Sequence, residues 1–116
     1  IDAFEIFLEK FPFAENRDEA IEFIQKCHYK LLQKKYYNGY SYYKLYDYSS
    51  ALMYFDEIIA LGNFDELDRM SLFYSSKIYI YRKDKENALK TTDSLLLRYP
   101  DSKEAKKISK LIKKLD

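Results

Sequence analysis

Apolar positions recur every three or four residues along most of this chain, the period of one face of an α-helix. Phe4, Phe7, Leu8 and Phe11 share such a face. Asp2 stands where a cap belongs and Pro12 closes the run, so Asp2–Phe11 reads as a first helix. Asn16 followed by Glu19 has the form of a capping box. From Arg17 to about Tyr46 an apolar stripe runs through Ala20, Ile21, Ile24, Cys27, His28, Leu31, Leu32, Tyr36, Gly39, Tyr42 and Tyr43. It predicts one helix of about 30 residues, roughly 45 Å long at 1.5 Å per residue. The alternative is a break near Gln33–Lys35. Asp47 caps a helix from Tyr48 to about Ala60 with inner face Ala51, Leu52, Phe55, Ile58 and Ile59; Gly62 then suits a left-handed C-cap. Asp65 starts a helix to about Tyr81, facing inward through Leu67, Met70, Phe73, Tyr74, Ile78 and Tyr81. Lys85 to Arg98 forms another. Asp101 with Glu104 makes a second capping box before a last helix, Ser102 to about Leu115.

The stretch Tyr36–Phe55 carries a further pattern. Gly39 and Tyr42 are three apart, Ala51 and Phe55 four apart, and Ala51 follows Gly39 by twelve. This is the Gly-x2-Tyr … Ala-x3-Phe spacing of a tetratricopeptide repeat. Gly39 removes a side chain where a partner helix crosses, with Ala51 expected opposite it and Phe55 filling the seam a turn later. The same register returns after Asp65, with Ser76 in the glycine position, Ala88 in the small position, Thr92 in the phenylalanine position and Pro100 after it. Phe11-Pro12 answers Tyr99-Pro100, which makes residues 1–12 the second half of a leading repeat. Phe4 and Phe55 are 51 residues apart, where one repeat takes about 34; the surplus extends the long helix. The expected architecture is an all-α, tetratricopeptide-repeat-like solenoid of about six helices in one domain over 1–116. Its parts are a half repeat at 1–12, a long-helix hairpin at 17–63, a second repeat at 65–100 and a capping helix at 102–115.

Composition removes several classes. Two glycines and two prolines are too few for a turn-rich β fold, and 47% apolar residues with 34% charged is a globular balance. A net charge of +1 gives no strong case for nucleic acid. Cys27 is the single cysteine and His28 the single histidine. As neighbours on a helix they point about 100° apart, which excludes them as a catalytic pair. No Gly-rich phosphate loop exists, and Asp56-Glu57 and Asp65-Glu66 read as solvated faces or caps. The chain is expected to be no enzyme, with no catalytic, cofactor-binding or metal-binding residues.

Four stretches resemble the BamD family of outer-membrane β-barrel assembly lipoproteins, which are built of tetratricopeptide repeats. Phe4-Glu5-Ile6-Phe7-Leu8-Glu9-Lys10-Phe11-Pro12 is similar to its Phe-x2-Phe-Leu-x2-Tyr-Pro segment. A long helix with Leu31-Leu32 follows, then Tyr42-Tyr43-Lys44, Asp47-Tyr48 and Ala51-Leu52 … Phe55, and last Leu97-Arg98-Tyr99-Pro100-Asp101-Ser102. The match spans nearly all of this chain but corresponds to the C-terminal half of a typical member. The resemblance implies a non-enzymatic adaptor on the periplasmic face of the outer membrane. Its partner would be the barrel-forming subunit with POTRA domains, with other assembly lipoproteins alongside. The only membrane link it implies is an N-terminal lipid. Cys27 lies mid-helix and does not match the anchoring cysteine, so an anchor would precede Ile1. A family arginine that contacts the barrel subunit aligns with Tyr54, so that salt bridge is not carried over.

Thirteen tyrosines exceed what a small helical core needs. Tyr36, Tyr42 and Tyr43 are expected in the core or between repeats. Tyr40, Tyr46, Tyr48 and Tyr54 are the candidate partner-binding residues, because tyrosine offers a large contact area with a polar tip. Two other readings remain open at this stage: a generic repeat module gripping a peptide, and a single-stranded nucleic-acid binder using the interleaved Lys30, Lys34, Lys35 and Lys44. The last helix carries Lys103, Lys106, Lys107, Lys110, Lys113 and Lys114 opposite Ile108, Leu111, Ile112 and Leu115. It reads as a cap on the solenoid, or else as a contact for anionic lipid or an acidic partner.

Overall fold

The computed structural model describes the backbone of residues 14–115 and the side chains of residues 17–115. The helix expected over Asp2–Phe11, and with it the half repeat at 1–12, lies outside the described residues. Five helices follow in order: α1 Ala14–Lys44, α2 Tyr48–Leu61, α3 Glu66–Tyr81, α4 Lys85–Arg98 and α5 Lys103–Ile112. No strand occurs among the described residues. α1 is continuous through Gln33–Lys35, as the main reading of the periodicity requires. It begins at Ala14, so Asn16 sits within the helix and not at its cap.

The chain divides into two units, residues 1–34 and residues 35–116, at a step inside α1. In the first, Ala20 and Leu32 are buried, Ile21, Ile24 and Cys27 are half-buried, and His28 and Leu31 stay exposed.

In the second unit α2 packs on α3, α3 on α4, and α5 on both α3 and α4. Two apolar clusters hold these helices. One joins Ala51, Leu52, Phe55 and Ile78, flanked by Tyr36, Tyr43, Tyr48, Ile59, Tyr74 and Tyr79. The other joins Leu72, Phe73, Leu95, Ala105 and Ile108, flanked by Ile59, Met70, Tyr74 and Leu111 among others. Ile59 and Tyr74 border both, so the two cores are continuous. Ser76 and Thr92, which replace the glycine and phenylalanine of the repeat, are both buried.

At Gly39 α1 comes close against α2. A Cβ there would lie 2.9 Å from Phe55 Cε1 and 3.0 Å from Tyr54 Cβ. The glycine therefore makes room for Phe55 and the backbone-proximal part of Tyr54. Ala51, expected to be its counterpart, is fully buried in the same cluster as Phe55.

The turns share one device. Tyr46, Phe64 and Lys83 have positive φ (63°, 54° and 59°), and each is followed by an aspartate that caps the next helix. Asp47, Asp65 and Asp84 accept hydrogen bonds from the backbone N–H groups of Ser50, Asp68 and Asn87. Tyr46 and Lys83 close the turn just after a helix end and Phe64 follows Gly62, which ends α2; in all three the carboxylate starts the next helix. Gly62 adopts the left-handed conformation expected of it, at φ 61°. The cap of α5 is Ser102 and not Asp101: its hydroxyl accepts from Ala105 N–H at 3.0 Å and donates to the Tyr99 carbonyl at 2.8 Å.

Candidate protein-binding surface

Tyr36, Tyr40 and Tyr43 lie four and three residues apart, so α1 presents them on one side. Tyr36 and Tyr40 stack with ring centroids 6.2 Å apart, and Tyr40 and Tyr43 at 6.3 Å. Tyr74 of α3 closes on this row, 5.2 Å from Tyr40 and 4.8 Å from Tyr43. Lys77, one turn along from Tyr74, places its ammonium over three rings: 5.2 Å from Phe73, 5.8 Å from Tyr74 and 5.9 Å from Tyr43. A cation over ring faces is held by the ring quadrupole and not by a counter-ion.

The row continues to the hairpin turns. Tyr43 meets Tyr48 at the start of α2 (5.8 Å), and Tyr48 meets Tyr46 (6.3 Å) and Tyr81 at the end of α3 (5.5 Å, edge to face). Arg82 lies 5.9 Å over the Tyr48 ring and donates from Nη2 to Ser49 Oγ at 3.1 Å. Here the apolar side chains reach solvent: Leu45, Tyr46 and Tyr81 are 73%, 78% and 72% exposed. The backbone explains Tyr46. Asp47 N–H bonds back to the Tyr42 carbonyl at 2.9 Å, and this closing turn forces φ positive at Tyr46, where glycine is the usual residue.

The four tyrosines singled out from sequence thus occupy two places. Tyr40, Tyr48 and Tyr46 belong to one ladder of rings running from half-buried to exposed. Tyr54 is off it, stacked on Tyr42 at 5.8 Å. That pair lines a separate groove of ≈ 270 Å³ with Ser50, Met53 and Glu57. Tyr42, expected inside, is 37% exposed. Sequence reasoning missed Tyr81, which it placed on the inner face of α3, and Arg82. The tyrosine spacing predicted the ladder on α1; the meeting of Tyr48 with Tyr81 depends on two turns 33 residues apart arriving side by side.

At the other end of α3 a buried charge ties it to the end of α4. Asp68, fully buried in the first turn of α3, accepts from Arg98 Nη1 at 2.8 and 3.0 Å and from Tyr99 Oη at 2.6 Å. Arg69 Nε and Glu104 Oε1 approach to 2.7 Å, linking α3 to α5, although the N–H is not aimed at the oxygen.

Burial governs the phenols. It is the largest reason that Tyr74 is pushed up to about 12, with Tyr40 adding to it. Burial likewise raises Tyr36, Tyr43, Tyr48, Tyr79 and Tyr99 above the ordinary tyrosine range. A phenol raised in the fold binds its proton more tightly there than in the unfolded chain. Its contribution is therefore complete below pH 10 and is lost as pH rises from 10 towards 12. Helical circular dichroism should stay level to pH 10 and fall across that window, while the late part of the phenolate absorbance rises in step with unfolding. Tyr74→Phe should shift the midpoint to higher pH. A helical signal already lost below pH 10 would contradict this account.

Among the described residues no three His, Cys, Asp or Glu side chains are grouped so as to hold a metal ion, and no helix is long and apolar enough to cross a membrane. Cys27 is half-buried and its neighbour His28 exposed.

Residues 70–102 match the family model for the tetratricopeptide repeat. The matched stretch takes in most of α3, all of α4 and the turn to α5. It is the repeat with Ser76 and Thr92 in the glycine and phenylalanine positions, not the stretch where Gly39, Tyr42, Ala51 and Phe55 keep the signature spacing. No curated protein and no solved structure matches the chain. The protein is an all-α, tetratricopeptide-repeat-like helical solenoid, a class of module that binds other proteins. The matching family is one of interaction modules, and no catalytic family is indicated.

Proposed function

We propose that this chain is a protein-binding adaptor of outer-membrane β-barrel assembly, docking a POTRA domain of the barrel-forming subunit through its tyrosine-rich hairpin turns. The observation that carries the proposal is the length of α1. It has 31 residues, against 10 to 16 in the other helices. A plain array repeats helices of similar length, whereas a long helix ahead of a repeat hairpin is the order that the resemblance to the BamD family implies. The ladder ending in Tyr46, Tyr48, Tyr81 and Arg82 supports the choice of surface, since tyrosine and arginine are the residues that most often anchor protein interfaces. Under this proposal the protein works at the periplasmic face of the outer membrane.

Tyr46 allows binding and stability to be separated. Tyr46→Gly removes the ring and also the Cβ that positive φ disfavours, so stability should hold or rise by about 0.5–1 kcal/mol while affinity for the POTRA domains falls about tenfold or more. Tyr46→Ala should lose the same affinity without the gain in stability. Calorimetric titration with purified POTRA domains, alongside thermal melts, measures both. Unchanged affinity would remove the ladder from the interface. Failure of the wild-type chain to bind any POTRA domain would overturn the barrel-assembly role.

A further inference from the structure

The charge of α5 is one-sided. Lys103, Lys106, Lys107, Lys110, Lys113 and Lys114 are all exposed. Each residue turns an α-helix by about 100°, which gathers Lys103, Lys106, Lys107 and Lys110 into an arc of about 100° over a length of about 10 Å, and Lys113 and Lys114 follow directly on the end of the helix. The opposite side holds Ala105 and Ile108, both fully buried, with Leu111 and Ile112 half-buried. The one acid of the helix, Glu104, is turned towards Arg69. Among the described residues none of the six ammonium groups has an ion pair, a hydrogen bond or a ring beneath it. Residues 103–114 therefore carry a balance of +5, and the rest of the chain must be −4 to leave a net charge of +1.

Capping the end of a solenoid asks only for polar side chains, which glutamate, glutamine or serine would supply. A set of one sign, segregated from an acidic remainder, is a directional electrostatic feature. We propose that the lysine face of α5 rests on an anionic lipid surface, a direct membrane contact independent of any lipid anchor and of the POTRA reading. Lipid fits this face better than a protein or a nucleic acid. The stripe contains no tyrosine, tryptophan or arginine, the residues that anchor protein interfaces, and lysine is depleted there. It contains no ring on which a base would stack. Flexible ammonium groups on a flat arc need no fixed geometry to meet a plane of headgroups, and each adds attraction nearly independently. The apolar side of α5 is committed to the core, so the helix lies on the headgroups without inserting.

The test is sedimentation of the full chain with vesicles of phosphatidylcholine alone or phosphatidylcholine with phosphatidylglycerol, at low and high salt, with no partner protein present. The wild-type chain should partition onto the anionic vesicles only, and release them at high salt. Lys106→Gln, Lys107→Gln and Lys110→Gln combined should lower partitioning roughly tenfold or more, with an unchanged thermal melt because all three are exposed. The corresponding Lys→Arg set should retain it. Lys113→Gln with Lys114→Gln, beyond the last helical turn, gives a second variant should the first fold poorly. No binding to anionic vesicles, or equal binding by the Gln variants, overturns the proposal. Binding to polyglutamate or to an oligonucleotide but not to the vesicles also overturns it, and assigns the face to an acidic macromolecule.

Discussion

Asp68→Ala should cost the protein about 3–5 kcal/mol in chemical denaturation followed by circular dichroism. The carboxylate has no exposure of its own, and its two oxygens serve Arg98 and Tyr99. Its removal leaves a guanidinium in a site where water replaces only part of what is lost, since the Arg98 side chain is 22% exposed. Tyr99 Oη keeps a weaker outlet, the Asp65 carbonyl at 3.1 Å. That partial relief places the expected value near the lower end of the range. Asp68→Asn preserves shape and some hydrogen bonding, and should cost about 1–3 kcal/mol. Replacing Asp68 and Arg98 together by apolar residues of similar volume should recover much of the loss, because the penalty lies in stranding one charge and not in lacking the pair. A loss below about 1 kcal/mol for Asp68→Ala would show that the cluster is ornamental.

Phe55→Ala should cost a further-reaching 3–5 kcal/mol or about that. Phe55 is fully buried, with its ring 5.9 Å from Tyr36 and 6.1 Å from Tyr74, so one side chain holds α2 to both α1 and α3. The same ring explains the glycine of α1. Gly39→Ala gains about 1 kcal/mol in helix propensity but sets a Cβ at 2.9 Å from Phe55 Cε1. Phe55 is fully buried with a rigid ring, and Tyr54 Cβ lies close to its backbone, so overpacking of about 1–3 kcal/mol should dominate and the variant should be less stable. In the Phe55→Ala background the ring contact is gone and only the Tyr54 Cβ contact at 3.0 Å remains, so Gly39→Ala should cost clearly less than it does in the wild type. A double-mutant cycle measures this relief as a coupling energy. Additive effects would mean that the close approach of α1 to α2 is not what selects glycine.

These predictions rest on contacts of different legibility. Gly39 and Phe55 belong to a spacing that could be read directly, and the structure adds Tyr54, whose Cβ meets the glycine beside the Phe55 ring, with Ala51 buried in the same cluster as Phe55. The caps at Asp47 and Asp65 were equally plain; the cap at Asp84 emerges only from the structure. Tyr46, Phe64 and Lys83 in left-handed geometry were not plain either, because non-glycine residues adopt it only where the following helix start compels them. Asp68 gave no signal at all. An aspartate in the first turn of a helix normally serves the dipole from the surface, and its burial follows from the end of α4 bringing Arg98 and Tyr99 over it.

The order of helices, their caps, the long α1 and the aromatic row on one side of it were set by local sequence, since periodicity and capping act within a few turns of one chain segment. The choice among tyrosines was made by the tertiary structure. Exposure depends on which helices arrive alongside: Tyr74 covers Tyr40 and Tyr43, the two hairpin turns leave Tyr46 and Tyr81 open, and Tyr42 reaches solvent although it occupies a repeat position. Burial is a property of neighbours distant in sequence, and no pattern within one helix determines it.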